Sequence, residues 1–263
     1  MPTLSLDQLA AALDAYVDPH GIPDHATTGL QVRGTDGRTP VSRVALGVSA
    51  NLALFREAAD WGCQAVLVHH GLFWASDDPE NDPARPFDER RAAFLRERGI
   101  SLLAYHLPLD AHPEVGNNAE IARRLDLSDI AHDFGDLPET EVKVGVVGRA
   151  DPPLRLDDLL ARANRVFGQS AEVIAGGREP IRSLAIVSGG APGLVYAAIA
   201  RGVDAFVTGE GREWLPAVAR EAGITVLVVG HHASEVFGVQ ALGRWLEERF
   251  GLEVRYFPQA NPF

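Results

Sequence analysis

Two histidines and a glutamate stand close together near the C-terminal end of the chain, in Gly230-His231-His232-Ala233-Ser234-Glu235. The short β-branched run before them, residues 225–229, predicts a buried strand, and residues 236–250 have apolar positions at helical spacing. If the helix begins near His231, then His231 and Glu235 lie one turn apart on one face, where an imidazole and a carboxylate can share a metal ion. A histidine at this position equally serves as a helix cap, so the pair alone leaves both roles open.

Similar side chains follow two other predicted strands, at residues 63–68 and 101–105. They are His69 and His70 after the first strand, and His106 and Asp110 after the second. The carboxyl ends of parallel strands share one edge of a sheet, which is where ligands bind. Adjacent residues at a strand end point apart, so the two histidines suit two neighbouring ions better than one. Two such ions need a bridging group, for which a carboxylate is the usual choice.

Composition narrows the classes of protein that need considering. Net charge is −12 over 263 residues, so a broad nucleic-acid surface is not expected. The single cysteine, Cys63, excludes a disulfide framework and a thiolate-rich zinc site, and a cytoplasmic protein is the expectation. Lys143 is the only lysine, which argues against Schiff-base chemistry and a lysine-dependent phosphate loop. We see neither a membrane span nor a secretion signal, and any metal must be held by His, Asp and Glu.

The elements that position these residues alternate between strand and helix, as parallel β-α units do, and they predict two α/β lobes. Residues 127–136 are poorly patterned and are interpreted as a linker between the lobes. The acidic, proline-containing residues 76–89 are interpreted as a mobile surface loop that precedes a helix at 89–98.

Two local signals concern the residues around Asp110. Pro108 favours a turn rather than a helix over residues 106–110. Asn117 with Glu120 three residues later is a capping-box pattern, which predicts that Asn117 opens a helix over residues 117–125.

Four ordered motifs resemble the Nif-three-like dinuclear metal centre family, whose members are often labelled type-two GTP cyclohydrolase I homologues. The motifs are Val68-His69-His70-Gly71-Leu72-Phe73-Trp74, His106-Leu107-Pro108-Leu109-Asp110 with Gly116-Asn117-Asn118, Asp204-Ala205-Phe206-Val207-Thr208-Gly209-Glu210, and Gly230-His231-His232-Ala233-Ser234-Glu235. Gly29-Leu30-Gln31-Val32 is similar too. The chain departs from the family pattern at residues 24–28, so the sequence assigns no role to Asp24 or His25.

The resemblance implies a specific set of metal ligands: His69, His70, Asp110, His231 and Glu235, with Glu235 bridging. It implies two divalent ions per chain, and a shell of His, Asp and Glu suits Fe, Mn or Zn. His106 is expected behind the ligands or as an acid/base group. His106, Glu210 and His232 are the candidates for carrying the proton in catalysis.

The resemblance also implies two interlinked α/β lobes with the dinuclear site in the cleft between them, here residues 1–127 plus 233–263 and residues 128–232. Self-association into a toroidal homohexamer built from dimers is the implied assembly. The expected function is metal-dependent hydrolysis of a small, nucleotide-like substrate, of the GTP cyclohydrolase type. The alternative is a non-enzymatic metal-binding or regulatory protein, and turnover distinguishes the two.

Overall fold

The structure, a computed structural model, describes residues 3–18, 21–75, 82–137 and 141–263 and has a mixed α/β fold. Its strands, in chain order, are β1 Leu4–Ser5, β2 Gly29–Val32, β3 Pro40–Val41, β4 Arg43–Ser49, β5 Ala65–His70, β6 Ser101–Ala104, β7 Leu127–Asp136, β8 Lys143–Leu154, β9 Glu172–Ile174, β10 Ile181–Val187, β11 Ala205–Thr208, β12 Thr225–Val228 and β13 Glu253–Tyr256. Its helices are α1 Leu6–Val17, α2 Leu52–Trp61, α3 Arg85–Glu97, α4 Leu107–Ala111, α5 Asn117–Arg124, α6 Leu156–Phe167, α7 Val195–Arg201 preceded by a 3₁₀ turn at Pro192–Leu194, α8 Leu215–Ala222 and α9 His231–Phe250. Among the described residues, no helix combines the length and the apolar character needed to cross a membrane.

Residue contacts divide the chain into two compact units. The first consists of Met1–Leu109 and Val239–Ala260, and the second of Asp110–Gly238 and Asn261–Phe263. The division expected from the sequence differs mainly in giving residues 110–127 to the first lobe. Helix α5 lies within that segment and packs against β7 and β8, which explains its place in the second unit.

The first unit contains a five-stranded sheet in the order β13-β4-β5-β6-β2. Strands β13, β4, β5 and β6 run parallel, whereas β2 is antiparallel to β6. The parallel arrangement places the carboxyl ends of β5 and β6 at the same edge, as the sequence predicted. The core contains fully buried apolar side chains from both strands and from α2, among them Val66, Val68, Leu102, Leu54 and Phe55.

The second unit contains a six-stranded sheet in the order β7-β8-β10-β11-β12-β9. Its three central strands β10, β11 and β12 are parallel, and the flanking strands pair antiparallel. The core is again apolar and includes Ile121, Leu159, Ile186, Val207 and Leu227. The residues that follow β10, β11 and β12 therefore share one edge of this sheet.

Helices α1 and α5 differ in how their first residues are capped, and the capping box predicted at Asn117 is wrong. Helix α1 is opened by Ser5, whose hydroxyl accepts from the backbone N–H of Gln8 in a capping box. Asn117 does not cap α5, because Gly116 occupies the N-cap position without a side-chain hydrogen bond. The Asn117 side chain instead donates to Asp110 and accepts from the backbone of Gly238. Its polar atoms are therefore already engaged in contacts distant in sequence.

The turn predicted over residues 106–110 is wrong, because Leu107–Ala111 forms the short helix α4. Pro108 is the second residue of this helix, where its missing N–H costs no hydrogen bond. The first N–H of the helix, that of Leu107, donates to the Asp24 carboxylate at 2.8 Å. Asp24 therefore satisfies a backbone group that would otherwise lack a partner at the helix start.

The linker predicted over residues 127–136 is also wrong. This segment is strand β7, paired antiparallel with β8, and its pairing shifts register twice. Asp129 has a positive φ of 48° and Gly135 one of 76°, so the strand is irregular and lacks a clean alternation of apolar residues.

The loop predicted over residues 76–89 falls partly outside the described residues, which resume at residue 82. Its last part is wrong, because helix α3 already begins at Arg85, with a proline in its first turn.

Candidate metal centre

His69 and His70 close strand β5, at the sheet edge of the first unit. His69 is fully buried, and its Nδ1 lies 3.0 Å from the carbonyl oxygen of Tyr105. A carbonyl oxygen only accepts hydrogen bonds, so Nδ1 carries a proton and Nε2 is the ring nitrogen that would bind a metal. This is the tautomer that a metal-binding histidine adopts when a carbonyl orients it.

His70 and His106 are held through the same ring nitrogen. His70 Nδ1 lies 3.0 Å from the Ser49 hydroxyl, and His106 Nδ1 lies 2.8 Å from Asp24 Oδ1. A carboxylate that accepts from one imidazole nitrogen fixes the ring and raises the basicity of the other nitrogen. Both rings are thus oriented by a partner on the side of Nδ1.

The three imidazoles form one cluster within the first unit. One ring nitrogen from each of His69, His70 and His106 lies within 4.8 Å of the others. Their ring centroids are 4.7 to 5.5 Å apart, and the indole of Trp74 meets His106 edge-on at 5.0 Å. This group could hold a metal ion, with the indole covering one side. The cluster includes His106, which was expected behind the ligands, together with the predicted ligands His69 and His70.

Asp24 is a residue to which the sequence assigned no role. Its side chain is 3% exposed, and its carboxylate accepts from His106 Nδ1 and from the backbone N–H groups of Ala26 and Leu107. Burial alone would raise the pKa of Asp24. The hydrogen bond and charge of His106, together with the two N–H groups, outweigh burial and hold that pKa below its usual value.

Gln31 explains how Asp24 reaches His106. Its side-chain oxygen accepts from the backbone N–H of Leu72 at 2.7 Å, and its amide group donates to the carbonyl of Thr27. It thus ties the segment after His70 to the segment after Asp24. A side chain at Gly71 would displace the Gln31 amide from these contacts. The motif Gly29-Leu30-Gln31-Val32 was noted for its resemblance to the family, but the contacts of Gln31 were not predicted.

Asp110, the first residue of the second unit, is 8% exposed. Its Oδ1 accepts from the Asn117 amide at 2.8 Å and from the Ser188 hydroxyl at 3.1 Å. Ser188 directly follows β10, and its backbone N–H donates to Asn118 at 2.7 Å. Two donors on one oxygen fix the plane of the carboxylate. Sequence reasoning missed Ser188 and the Asn117 amide as supports for this predicted ligand.

His231 and Glu235 belong to the first turns of α9, which begins at His231 as the sequence required. His231 Nε2 lies 3.2 Å from Glu235 Oε1, and Glu235 is buried. His231 Nδ1 lies 2.6 Å from Glu210 Oε1, and Glu210 also accepts from Arg212 at 3.0 Å. One imidazole is therefore held between two carboxylates.

This arrangement changes the proton affinities of both partners. The hydrogen bond to Glu235 is the main cause that raises the pKa of His231 to about 9, against the effect of burial, and Glu210 adds to it. The hydrogen bond to His231 in turn lowers the pKa of Glu210. A positive charge between the two carboxylates is therefore favourable, and either a protonated His231 or a metal ion would supply it.

Gly189 allows Glu235 to occupy its position. This glycine has a φ of 64°, and a Cβ there would collide with Glu235 Oε1. Its backbone N–H donates to the Ser234 hydroxyl at 2.9 Å, which fixes the loop after β10 against the start of α9. Within the second unit, the residues after β10 thus connect Asp110 to Glu235.

The remaining catalytic candidate, His232, is half-buried. Its backbone N–H donates to the carbonyl oxygen of Phe263 at 2.9 Å, which ties the last residue to the start of α9. The three candidate proton carriers are thus divided between the units: His106 belongs to the first, and Glu210 and His232 to the second.

The donor set fits a divalent metal. Two donors each about 2.1 Å from a tetrahedral ion lie about 3.4 Å apart, near the observed 3.2 Å between His231 Nε2 and Glu235 Oε1. The first unit offers imidazole nitrogen, and the second offers imidazole nitrogen and carboxylate oxygen. Such a set suits Fe, Mn or Zn and disfavours Cu(I).

The sequence model of the DUF34/NIF3 family, described as NGG1p interacting factor 3, matches residues 4–262. The chain belongs to this family, which confirms the resemblance seen in its motifs.

Similar proteins match this chain over nearly its whole length. A Pseudomonas aeruginosa protein named GTP cyclohydrolase 1 type 2 homolog is 40% identical over 260 residues, 98% of this chain and 99% of that protein. The solved structure titled protein ybgI, unknown function, has a TM-score of 0.88 at 33% identity and covers 99% of this chain and 100% of its own. TTHA1606 from Thermus thermophilus has a TM-score of 0.85 at 36% identity with the same coverage. The mixed α/β fold is therefore that of the family.

Proposed function

We propose that the protein is a dinuclear metal-dependent hydrolase that acts on a small, nucleotide-like substrate. The observation that carries this proposal is the imidazole cluster of His69, His70 and His106, whose ring nitrogens lie within 4.8 Å of one another. Each ring is held at Nδ1 by a carbonyl, a hydroxyl or a carboxylate. Such support is typical of histidines that bind metal rather than of surface histidines.

The proposed centre holds two divalent ions in the cleft between the two lobes. His69 and His70 are the ligands of the first unit, and Asp110, His231 and Glu235 are those of the second. The assignment rests on the family resemblance of the motifs. Glu235 is the proposed bridge, and its burial beside His231 supports that role because a buried carboxylate needs positive charge nearby.

Bound ions of this kind lower the pKa of water toward neutrality and so supply a nucleophile at physiological pH. The chain's own residues then hold and move the proton. Glu210 accepts a hydrogen bond from His231 Nδ1 across 2.6 Å, and Asp24 accepts one from His106 Nδ1 across 2.8 Å. His106 and Glu210 are the proposed acid/base groups, with His232 as a third candidate.

The substrate class follows from the names of relatives. The Pseudomonas aeruginosa relative is named as a homologue of a GTP cyclohydrolase, so a purine nucleotide is the first substrate to test. Hydrolytic opening of the guanine ring by water is the reaction of that type.

Metal content and turnover test the proposal together. Elemental analysis of the purified protein should give two ions of Fe, Mn or Zn per chain, and the metal-loaded protein should convert GTP to a new product. Glu235→Ala should lose at least one ion. Glu247→Ala is the matched control, because it makes the same change at an exposed position of the same helix.

Two results would contradict parts of this proposal. Retention of two ions by Glu235→Ala would refute the bridge. Tight metal binding without a product from GTP, with any of the three metals, would favour the alternative of a metal-binding or regulatory protein.

The proposed assembly is a toroidal homohexamer in the cytoplasm. Light scattering on the purified protein, giving six times the chain mass of 28.3 kDa, is the expected result. A stable monomer or dimer would remove the hexamer from the proposal.

A further inference from the structure

A cavity of about 730 Å³ opens within the second unit. It lies beside the residues that follow β11 and β12, including Gly209 and Gly230, and is bounded on another side by β9. Its volume is in the range of small-molecule sites. The carboxyl ends of parallel strands are also the usual place for a ligand in an α/β sheet.

Charge indicates which ligands this cavity accepts. Its charged lining consists of three carboxylates and one guanidinium, those of Glu172, Glu210, Glu213 and Arg212. Arg212 already pairs with Glu210 at 3.0 Å. In the described part of the chain, neither Glu172 nor Glu213 forms an ion pair. The lining therefore repels a phosphate and offers two carboxylate acceptors to N–H donors.

The cavity also presents a flat apolar surface. Phe263 lines it and is 77% exposed, an unusual position for a large apolar residue. The backbone of Phe263 is held at both polar groups, because its carbonyl accepts from His232 and its N–H donates to Asn261 Oδ1 at 3.0 Å. An exposed phenyl ring on a backbone held in this way is a suitable stacking partner for a planar ligand.

Glu210 links the cavity to the candidate centre. It lines the cavity, and its Oε1 lies 2.6 Å from His231 Nδ1. A ligand in the cavity would therefore lie next to a proposed metal ligand and a proposed acid/base group.

We infer that this cavity binds the uncharged, amino-bearing heteroaromatic ring of the substrate, by stacking on Phe263 and by hydrogen bonds to Glu172 and Glu213. Phosphate groups are held elsewhere. The inference rests on the proposed function for the identity of the reaction, but ring binding itself requires no turnover.

Guanosine and inosine are the probes, because they differ by the exocyclic amino group that a carboxylate would recognise. Isothermal titration of the metal-loaded protein should show guanosine binding about tenfold more tightly than inosine, the value of one charge-assisted hydrogen bond. The double variant Glu172→Gln, Glu213→Gln should weaken guanosine binding about tenfold and reduce its preference over inosine. Glu221→Gln, an exposed position on α8 outside the cavity, is the control and should change neither.

Two further measurements test the stacking partner and the exclusion of phosphate. Phe263→Ala should weaken both nucleosides by a similar factor, since stacking does not depend on the amino group. Inorganic phosphate in tenfold excess should not displace guanosine. Competition by phosphate, or equal affinity for guanosine and inosine in the wild-type protein, would overturn the inference.

The outcome separates this inference from the proposed function. Guanosine binding that responds to the cavity variants, without any product from GTP, would leave the cavity assigned and refute the hydrolase. Turnover of GTP with guanosine affinity and KM unaffected by the cavity variants would support the hydrolase and refute the assignment of the cavity.

Discussion

Replacing Asp24 by asparagine is the sharpest test of how the imidazole cluster is built. The carboxylate accepts three hydrogen bonds, from His106 Nδ1 at 2.8 Å, from Leu107 N–H at 2.8 Å and from Ala26 N–H at 2.9 Å. An asparagine has nearly the same shape but only one accepting oxygen. Whichever way the amide is turned, its NH₂ group faces at least one buried donor.

The expected loss of stability follows from those hydrogen bonds. A hydrogen bond to a charged group contributes about 1.5–3 kcal/mol, and a buried donor left without an acceptor costs about 1–3 kcal/mol. Because Asp24 is 3% exposed, water cannot easily replace the lost acceptor. We expect Asp24→Asn to lower the free energy of unfolding by about 2–4 kcal/mol. His106 also belongs to the imidazole cluster, and if it binds metal there, loss of the partner that orients its ring should weaken metal binding by about 10–100-fold.

Urea unfolding and chelator competition measure the two effects separately. Asp36→Asn is the matched control, because Asp36 is exposed and accepts one backbone hydrogen bond, from Arg38 at 2.9 Å. It should change stability by no more than about 0.5 kcal/mol and leave metal affinity unchanged. If Asp24→Asn binds metal as tightly as the wild type, His106 is not a metal ligand, and the acid/base role proposed for it remains to be tested by turnover. If its stability is also unchanged, the hydrogen bonds of Asp24 contribute nothing.

Three further variants or measurements test other parts of the structure. Gly189→Ala should lower the free energy of unfolding by about 1–2 kcal/mol and reduce metal content, because the φ of 64° and the nearby Glu235 carboxylate leave no room for a methyl group. The control Gly193→Ala should change neither quantity, because no atom lies within 4 Å of the added methyl group. Burial raises the pKa of the Cys63 thiol to about 12, so iodoacetamide at pH 8 should alkylate the folded protein at least about 100-fold more slowly than the urea-unfolded chain. Comparable rates would show that Cys63 is accessible. Phe206→Ala removes a fully buried ring and should lower the free energy of unfolding by about 3–5 kcal/mol in the same urea assay, and a change below about 1 kcal/mol would contradict the packing of that core.

The parallel sheets and the residues at their carboxyl ends could be predicted from the sequence. Short β-branched runs followed by helical periodicity indicate β-α units, and such units align their strand ends. Helix α9 begins at His231, which meets the condition stated from the sequence for a one-turn spacing between His231 and Glu235. These signals are local, so a single sequence contains them.

The features that were missed depend on contacts between distant residues. Asp24 meets His106 across 82 positions, because backbone bonds pin its segment to the residues after β5, including Thr27 N–H to Phe73 at 2.9 Å. Strand β7 is held by its hydrogen bonds to β8. Its register shifts and its positive φ values interrupt the alternation of apolar residues by which a strand is recognised in a sequence. Helix α4 depends on Asp24 as an acceptor for its first N–H. Contacts between residues so far apart in the chain cannot be read from the local spacing of residue types.

The alternative of capping histidines can be judged from what each Nδ1 contacts. A histidine that caps a turn accepts from backbone N–H groups, as His112 Nδ1 does from Glu114 and Val115, both at 3.2 Å. The Nδ1 atoms at the strand ends contact a carbonyl, a hydroxyl and two carboxylates, in His69, His70, His106 and His231 respectively. Carbonyl and carboxylate groups accept, so the rings of His69, His106 and His231 donate from Nδ1, the reverse of capping. A ring that donates a proton from Nδ1 has Nε2 as the nitrogen that can bind a metal, which is the arrangement a metal ligand needs. In His231 that atom already lies 3.2 Å from Glu235 Oε1, so a metal would replace the proton between them.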